Sequence, residues 1–153
     1  MTPGRAPAAM QALARRPWRL RLAALCAGLL AFGVGHAESR LWMTVGERRL
    51  AVTPADTDAA RAFAARLPLT LDMTDLNGNE KKFDLPDGLP ARPSRPGTIR
   101  HGDLMLYGTN TVVLFYLGFD SAYAYTRLGR VDDPDGLARA LGPGAVRVRF
   151  SRD

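Results

Sequence analysis

The chain has 153 residues, of which 46% are hydrophobic and 24% charged, a composition typical of one globular domain. Its net charge of +6 comes mostly from the first 37 residues, which hold five arginines and no acidic residue, so the remainder carries only +1. This nearly neutral body argues against nucleic-acid binding, which needs clustered basic side chains. The single cysteine, Cys26, lies in the leading segment, which excludes disulfides, cysteine nucleophiles and cysteine-based zinc sites from the body.

Residues 1–37 have the three parts of a secretory signal peptide. Arginines precede an uncharged apolar run over 22–34, and Gly35 and Ala37 supply the small residues of a cleavage site. The 13-residue run is short for a membrane-spanning helix, which needs about 20 residues; a retained anchor is the alternative. We therefore expect an exported protein, periplasmic or secreted, that is cleaved after Ala37 and is free of the membrane. The general and twin-arginine export routes both remain open.

The first half of the body predicts strands around one helix. Residues 41–45 and 49–52 form a predicted hairpin. A helix is expected near 55–67, because Pro54 suits a first helical turn and apolar residues follow at helical spacing. Alternating residues predict a strand at 69–74, and the turn Asn77-Gly78-Asn79 leads to another at 82–85.

The second half begins with a stretch over 86–97 that holds four prolines and two glycines. We interpret it as a surface excursion rather than a linker between domains, because neither flank alone could build a core.

Further strands are predicted at 103–107, 112–117, 123–131 and 146–150, with a second helix at 134–141. The run over 112–117 is apolar on both faces, as in a strand covered on both sides. About seven strands and two short helices predict a mainly β fold, closed into a barrel or sandwich.

Three ordered blocks resemble the bacterial cyclophilin-like family: LPLTLDMTDLNGNEKKFDLP, HGDLMLYGTNTVVLFYLGF and YAYTRLGRVDDPDGLARALG. The resemblance covers about 41–150 and implies one small closed cyclophilin-like β-barrel domain, with helices over its open ends. True cyclophilins carry a Phe-His-Arg segment and a Gln-Gly-Gly-Asp segment, and both are missing. His101-Gly102-Asp103 keeps only the Gly-Asp pair. The resemblance therefore transfers no catalytic residue.

Other chemistry has little support in the sequence. His101, the one histidine of the body, is interpreted as a solvated turn residue, and no Gly-x-Ser-x-Gly turn surrounds a serine. The aspartates around Pro134 are interpreted as helix caps rather than calcium ligands. No glycine-rich nucleotide motif occurs. We expect no cofactor and no metal.

Aromatic residues indicate the candidate site. Ten aromatic residues follow residue 37, and six of them lie between residues 107 and 125. Strand parity places Tyr123, Tyr125 and Arg127 on one face, with Tyr107 beside them and either Phe115 or Tyr116 as the floor. Packing of a barrel wall is the alternative interpretation.

The favoured hypothesis is a non-catalytic module that binds a peptide or small molecule in an apolar groove with a guanidinium at its edge. The alternative is a periplasmic peptidyl-prolyl cis-trans isomerase, in which Arg127 would hydrogen-bond the prolyl nitrogen of the substrate.

Overall fold

A computed structural model of the chain describes residues 40–152. The expected signal peptide and cleavage site over 1–37 lie outside the described residues. Within them the chain forms ten strands and two helices. In chain order these are β1 (Leu41–Val45), β2 (Arg48–Pro54), α1 (Asp58–Ala65), β3 (Leu69–Leu76), β4 (Glu80–Asp84), β5 (Gly97–Ile99), β6 (Asp103–Tyr107), β7 (Thr111–Phe115), β8 (Phe119–Ser121), β9 (Thr126–Val131), α2 (Leu137–Leu141) and β10 (Val146–Arg152).

Eight antiparallel strands close into a barrel in the order β1-β10-β3-β4-β7-β6-β9-β2. The predicted fold class, a small closed β-barrel with two short helices, is confirmed. The barrel closes where β2 pairs with β9, and Pro54 lies opposite Gly129 at the end of this pairing. A Cβ on Gly129 would lie 2.7 Å from the carbonyl oxygen of Thr53, so glycine allows the two strands to approach at the seam.

Both helices begin later than the sequence predicted. Pro54 ends β2 instead of starting α1, and the N-cap is Thr57, whose Oγ1 accepts a hydrogen bond of 3.0 Å from the backbone of Ala60. Helix α2 begins after Gly136 rather than at Pro134, and it ends at Gly142 as predicted. Neither of these helices is long and apolar enough to cross a membrane.

The barrel interior is filled by side chains that alternate along the strands, as β geometry requires. Met43, Leu71, Leu114 and Phe150 are at most 2% exposed there. Helix α1 contributes Phe63, whose ring lies 5.4 Å from that of Phe150 in an edge-on arrangement. The core therefore joins helix α1 to the barrel.

A second apolar cluster lies outside the barrel wall. Met105 on β6, and Val113 and Phe115 on β7, point outward and pack with Ile99 and Tyr125. Strand β7 is thus covered on both faces, as its sequence predicted.

The cover over this cluster is a two-stranded antiparallel sheet formed by β5 and β8, which we call the outer ribbon. The proline-rich segment leads into the ribbon, and on the way Ser94 forms an isolated bridge with Tyr125. The strand predicted over 123–131 is wrong in its first half, because β8 ends at residue 121 and β9 begins only at residue 126.

Candidate functional site

Two cavities flank the outer ribbon. Phe119 of β8 borders a cavity of about 410 Å³, which also has Tyr107, Tyr123 and Tyr125 in its wall; we call it the tyrosine cavity. Pro96 and Thr98, at the β5 side of the ribbon, border a cavity of about 790 Å³ that contains Arg127; we call it the arginine cavity.

The aromatic wall of the tyrosine cavity is a set of rings in mutual contact. The centroid of Tyr107 lies 6.2 Å from that of Tyr123, with perpendicular planes, and 5.7 Å from that of Tyr125. Tyr125 is only 6% exposed, whereas Tyr107 and Tyr123 are 47% and 64% exposed. Burial raises the pKa of the Tyr125 phenol. The wall is therefore anchored by one buried tyrosine and presents two others to solvent.

Phe115 supports this wall from below. Its ring lies 5.5 Å from Tyr125 in an edge-on arrangement and 5.6 Å from Phe119. Phe115 and Tyr116 were the two residues predicted for the floor of the aromatic site, and it is Phe115 that lies against the tyrosine rings.

Tyr116 points the other way and packs against the barrel interior. Its hydroxyl donates a hydrogen bond of 2.7 Å to Asp75, and burial, followed by this bond, raises the pKa of Tyr116 to about 12. Tyr116 therefore does not contribute to the tyrosine cavity.

Strand parity places Arg127 on the outer face together with Tyr125, as predicted, but Arg127 lines a different cavity from Tyr123 and Tyr125. Thr126 is buried because it points inward opposite Leu106, and Tyr125 is buried because it points outward beneath the outer ribbon, so the side chains still alternate. Arg127 then lies on β9 opposite Met105, and the outer ribbon packs on the wall between it and the tyrosines. Within residues 40–152 its guanidinium has no hydrogen bond or ion pair. Beside it, Arg130 pairs at 2.9 Å with the buried carboxylate of Asp103.

The opposite wall of the tyrosine cavity is polar and comes from β4. Glu80, Lys82 and Asp84 alternate along this strand and all line the cavity. The Lys82 ammonium lies 3.2 Å from the Asp84 carboxylate, which also accepts a hydrogen bond of 2.7 Å from Thr111. Lys82, Asp84 and Thr111 are therefore already paired with one another.

Glu80 differs from its neighbours on β4. It is 7% exposed, and its carboxyl group has no hydrogen bond or ion pair within the described part of the chain. Burial raises the pKa of this carboxyl group, and the negative charge of Asp75 adds to the effect. The sequence interpretation missed Glu80. The available signal was the strand parity that sets residues 80, 82 and 84 opposite the outward side chains of β7.

Asn79 adds a second unsatisfied acceptor. Its backbone oxygen accepts hydrogen bonds from the amides of Tyr116 and Leu117, at 3.0 and 3.3 Å. Its side-chain Oδ1 is buried at the same cavity and has no hydrogen-bond partner in the structure. Buried polar atoms are normally bonded, so an orphan acceptor at a cavity marks a place for a ligand donor or for water.

No other chemical centre emerges among residues 40–152. His101 lies in the turn before β6 and its side chain is 50% exposed, with its Nε2 3.9 Å from a carboxylate oxygen of Asp135. No group of three or more His, Cys, Asp or Glu residues in this range is placed to hold a metal ion.

The family of the chain is shown by its sequence. Residues 43–151 match the model of the Cyclophilin-like family, so the chain belongs to that family, and the expected resemblance is confirmed. The fold is similar to the solution structure of a hypothetical protein from Archaeoglobus fulgidus, with a TM-score of 0.48 and 16% sequence identity over 76% of this chain and 95% of that one. No curated protein is significantly similar to the chain in sequence.

Proposed function

We propose that this cyclophilin-like protein is a non-catalytic binding module that holds a peptide or small organic ligand in the tyrosine cavity. The observation that carries the proposal is the exposure of Tyr107 and Tyr123 on a buried aromatic support. Aromatic area left in water at a concave site gains free energy when a ligand covers it. The volume of about 410 Å³ lies within the usual range of small-ligand sites, about 300–1,000 Å³.

Binding is better supported than prolyl isomerisation. The isomerase alternative placed the Arg127 guanidinium beside the aromatic rings, but Arg127 lines the arginine cavity. The tyrosine cavity contains no arginine among its described lining residues, and its one cation, Lys82, is paired with Asp84. No residue in this cavity is thus placed to hydrogen-bond a prolyl nitrogen with a guanidinium.

Ligand titrations followed by NMR of the tyrosine ring signals test the proposal. Short lysine-, norleucine- and proline-containing peptides should shift the signals of Tyr107 and Tyr123, and Tyr123→Ala should weaken binding. Arg127→Ala is the matched control, because its exposed side chain lies in the other cavity. Unchanged tyrosine signals with every peptide would contradict the proposal. Faster cis-to-trans relaxation of the proline peptide would instead favour an isomerase.

We also propose that the protein is exported. The support is the arginine-rich start, the apolar run over 22–34 and the small residues before Glu38. Mass spectrometry of the periplasmic or secreted protein should find Glu38 as the N-terminal residue. Recovery of the full-length chain in the membrane fraction alone would refute the export proposal.

A further inference from the structure

The carboxyl group of Glu80 is the one strongly buried ionisable group at the tyrosine cavity that has no partner in the described structure. Glu80 is 7% exposed and lies opposite Phe115 in the pairing of β4 with β7. A buried carboxylate is costly unless a cation or several donors compensate it. No group within residues 40–152 compensates the Glu80 carboxyl group, which leaves it available to a cationic ligand in the cavity.

The two lysines that follow Glu80 do not supply this partner. Lys81 points into the barrel, where its ammonium donates hydrogen bonds to Asp75 and to the carbonyl groups of Gly142 and Gly144. Lys82 shares the face of Glu80, but its ammonium is directed to Asp84. Both neighbouring cations are occupied, and the site keeps an uncompensated negative charge.

The surroundings of Glu80 define the ligand that would fit. Asn79 offers a buried oxygen without a donor, and Tyr107, Tyr123 and Tyr125 offer ring faces and hydroxyl groups. Cations bind favourably over aromatic rings, and a carboxylate strengthens the attraction. Glu80 lines the same cavity as Tyr125 and lies opposite Phe115, whose ring is 5.5 Å from that of Tyr125.

We infer that the tyrosine cavity binds an organic cation with N–H donors, a primary ammonium or guanidinium group, and that Glu80 is its anionic partner. This inference rests on the proposed function and narrows its ligand class. An anionic ligand would be repelled by the negative charge of Glu80. A quaternary ammonium would leave the Asn79 oxygen without a donor, whereas N–H groups satisfy both acceptors. The lysine or arginine side chain of a peptide and a free small amine share this chemistry.

The test compares N-acetyl-lysine N-methylamide with its norleucine analogue, which has a similar alkyl chain without the charge. The wild-type protein should bind the lysine compound about tenfold to a hundredfold more tightly, as measured by NMR titration or calorimetry. Glu80→Gln should abolish this preference. Glu47→Gln should retain it, because Glu47 is exposed in the β1–β2 turn, and those strands lie across the barrel from β4 and β7.

A second test uses the wild-type protein alone, so it does not depend on whether the Glu80→Gln variant folds. The carboxyl carbon of Glu80 is titrated by NMR with and without the lysine compound, and bound cation should lower its pKa. The charge of Asp75 on β3 acts on it, and the other titratable groups around it are Lys82 and Asp84 on β4 and the phenols of Tyr107, Tyr116, Tyr123 and Tyr125. The phenols stay protonated over the acidic range of this titration.

The outcomes separate the inference from the proposed function. Equal affinity for the lysine and norleucine compounds, or a preference that survives Glu80→Gln, would overturn the inference and leave the binding module intact. No response of the tyrosine rings to any compound would overturn both. Within a positive result, n-butylammonium distinguishes the sources: affinity equal to that of the lysine compound assigns the site to free amines, and weaker affinity assigns it to peptide side chains.

Discussion

Lys81 and Lys82 are adjacent in the chain and have opposite environments. The side chain of Lys81 is 0% exposed, and its ammonium lies 2.7–2.8 Å from the carboxylate of Asp75 and two carbonyl oxygens. Lys82 is on the other face of β4, with a side chain 33% exposed. Strand parity alone produces this difference, because successive side chains point to opposite faces. Lys81 thereby ties β4 and β3 to the segment that follows α2.

Replacing Lys81 should therefore destabilise the protein far more than replacing Lys82. Lys81→Met leaves two carbonyl oxygens and a carboxylate without their donor, and we expect a loss of about 3 kcal/mol or more in the free energy of unfolding. Lys82→Met should cost about 0–1 kcal/mol, since the pair it breaks is partly exposed. Urea denaturation of both variants checks this. Equal losses would show that the buried ammonium has no special structural role.

Glu80 should make the protein less stable as the pH rises. Its pKa is raised in the folded state above the ordinary value of 4.5, so the folded chain holds a proton that the unfolded chain releases. The free energy of unfolding attributable to Glu80 therefore falls with rising pH from about the ordinary value up to the raised one. The Glu80→Gln variant has no carboxyl group at this position and does not undergo this fall in the free energy of unfolding. It should therefore be more stable than the wild type at neutral pH. The difference between the two proteins should vanish in acid.

Thermal unfolding of wild type and Glu80→Gln across this pH range measures the effect. The comparison cancels the carboxylates whose pKa values are lowered, such as Asp72 beside Arg147, because they are common to both proteins. A variant that is less stable than the wild type at neutral pH would indicate that Glu80 is a structural residue with a partner in the fold.

Among the residues of the tyrosine cavity, the sequence analysis predicted the aromatic ones but missed Glu80. Tyr107, Tyr123, Tyr125 and Phe115 stood out by their density along the chain, and the structure brings their rings together. Glu80 did not stand out, because an acidic residue after a turn is typical of a solvated strand end. Its burial depends on β7 and β8, which follow it by more than 30 residues.

Helix α1 shows how an element boundary escapes sequence reasoning. Proline fits the first turn of a helix, yet it equally fits the end of a strand where no further donor is needed, and Pro54 takes the second role. The cap is supplied by Thr57, whose hydroxyl also donates a hydrogen bond of 2.7 Å to the carbonyl of Arg127 on β9. One side chain therefore caps the helix and attaches it to the barrel.

Thr57→Ala should remove both bonds and lower the free energy of unfolding by about 1–2 kcal/mol. Thr57→Ser keeps the hydroxyl and should restore most of that loss. Chemical denaturation of the two variants makes the measurement. A serine variant as unstable as the alanine variant would mean that the methyl group of Thr57, rather than its hydroxyl, supports the helix.

The outer ribbon was the element that the sequence did not predict. Its strands β5 and β8 have three residues each, too few to show an alternating pattern. They form because Ile99 and Phe119 are drawn onto the outward side chains of β6 and β7. The ribbon also divides the outer face into two cavities, with Arg127 in one and the tyrosines in the other.

For the whole molecule, local signals predicted most strands and the resemblance to the family supplied the closure. Hairpins such as β3–β4 and β6–β7 are joined by short turns rich in glycine and asparagine, which the sequence displays. The pairings β1–β10 and β2–β9 join segments far apart in the chain, and no local pattern specifies them. A closed barrel could be predicted, but its strand order could not.

The bridge between Ser94 and Tyr125 couples the opening of the proline-rich segment to the tyrosine cavity. Each residue donates its amide to the carbonyl of the other, at 2.9 and 3.0 Å, so Tyr125 joins the proline-rich segment by its backbone and the tyrosine cavity by its ring. Local opening that lifts this segment would break up the aromatic wall while the barrel stays folded. A bound ligand stabilises only the closed form, which lowers the population of the open one.

Amide hydrogen exchange should therefore report binding at a distance from the ligand. The amides of Ser94 and Tyr125 should exchange faster than those of the β1–β10 pairing in the free protein, and the lysine compound should slow them selectively. Uniform protection across the barrel would show instead that ribbon and barrel open as one unit. With selective protection of Ser94 and Tyr125, a segment that reads in sequence as a plain surface loop acts as a latch, and its opening rate limits how fast the ligand leaves.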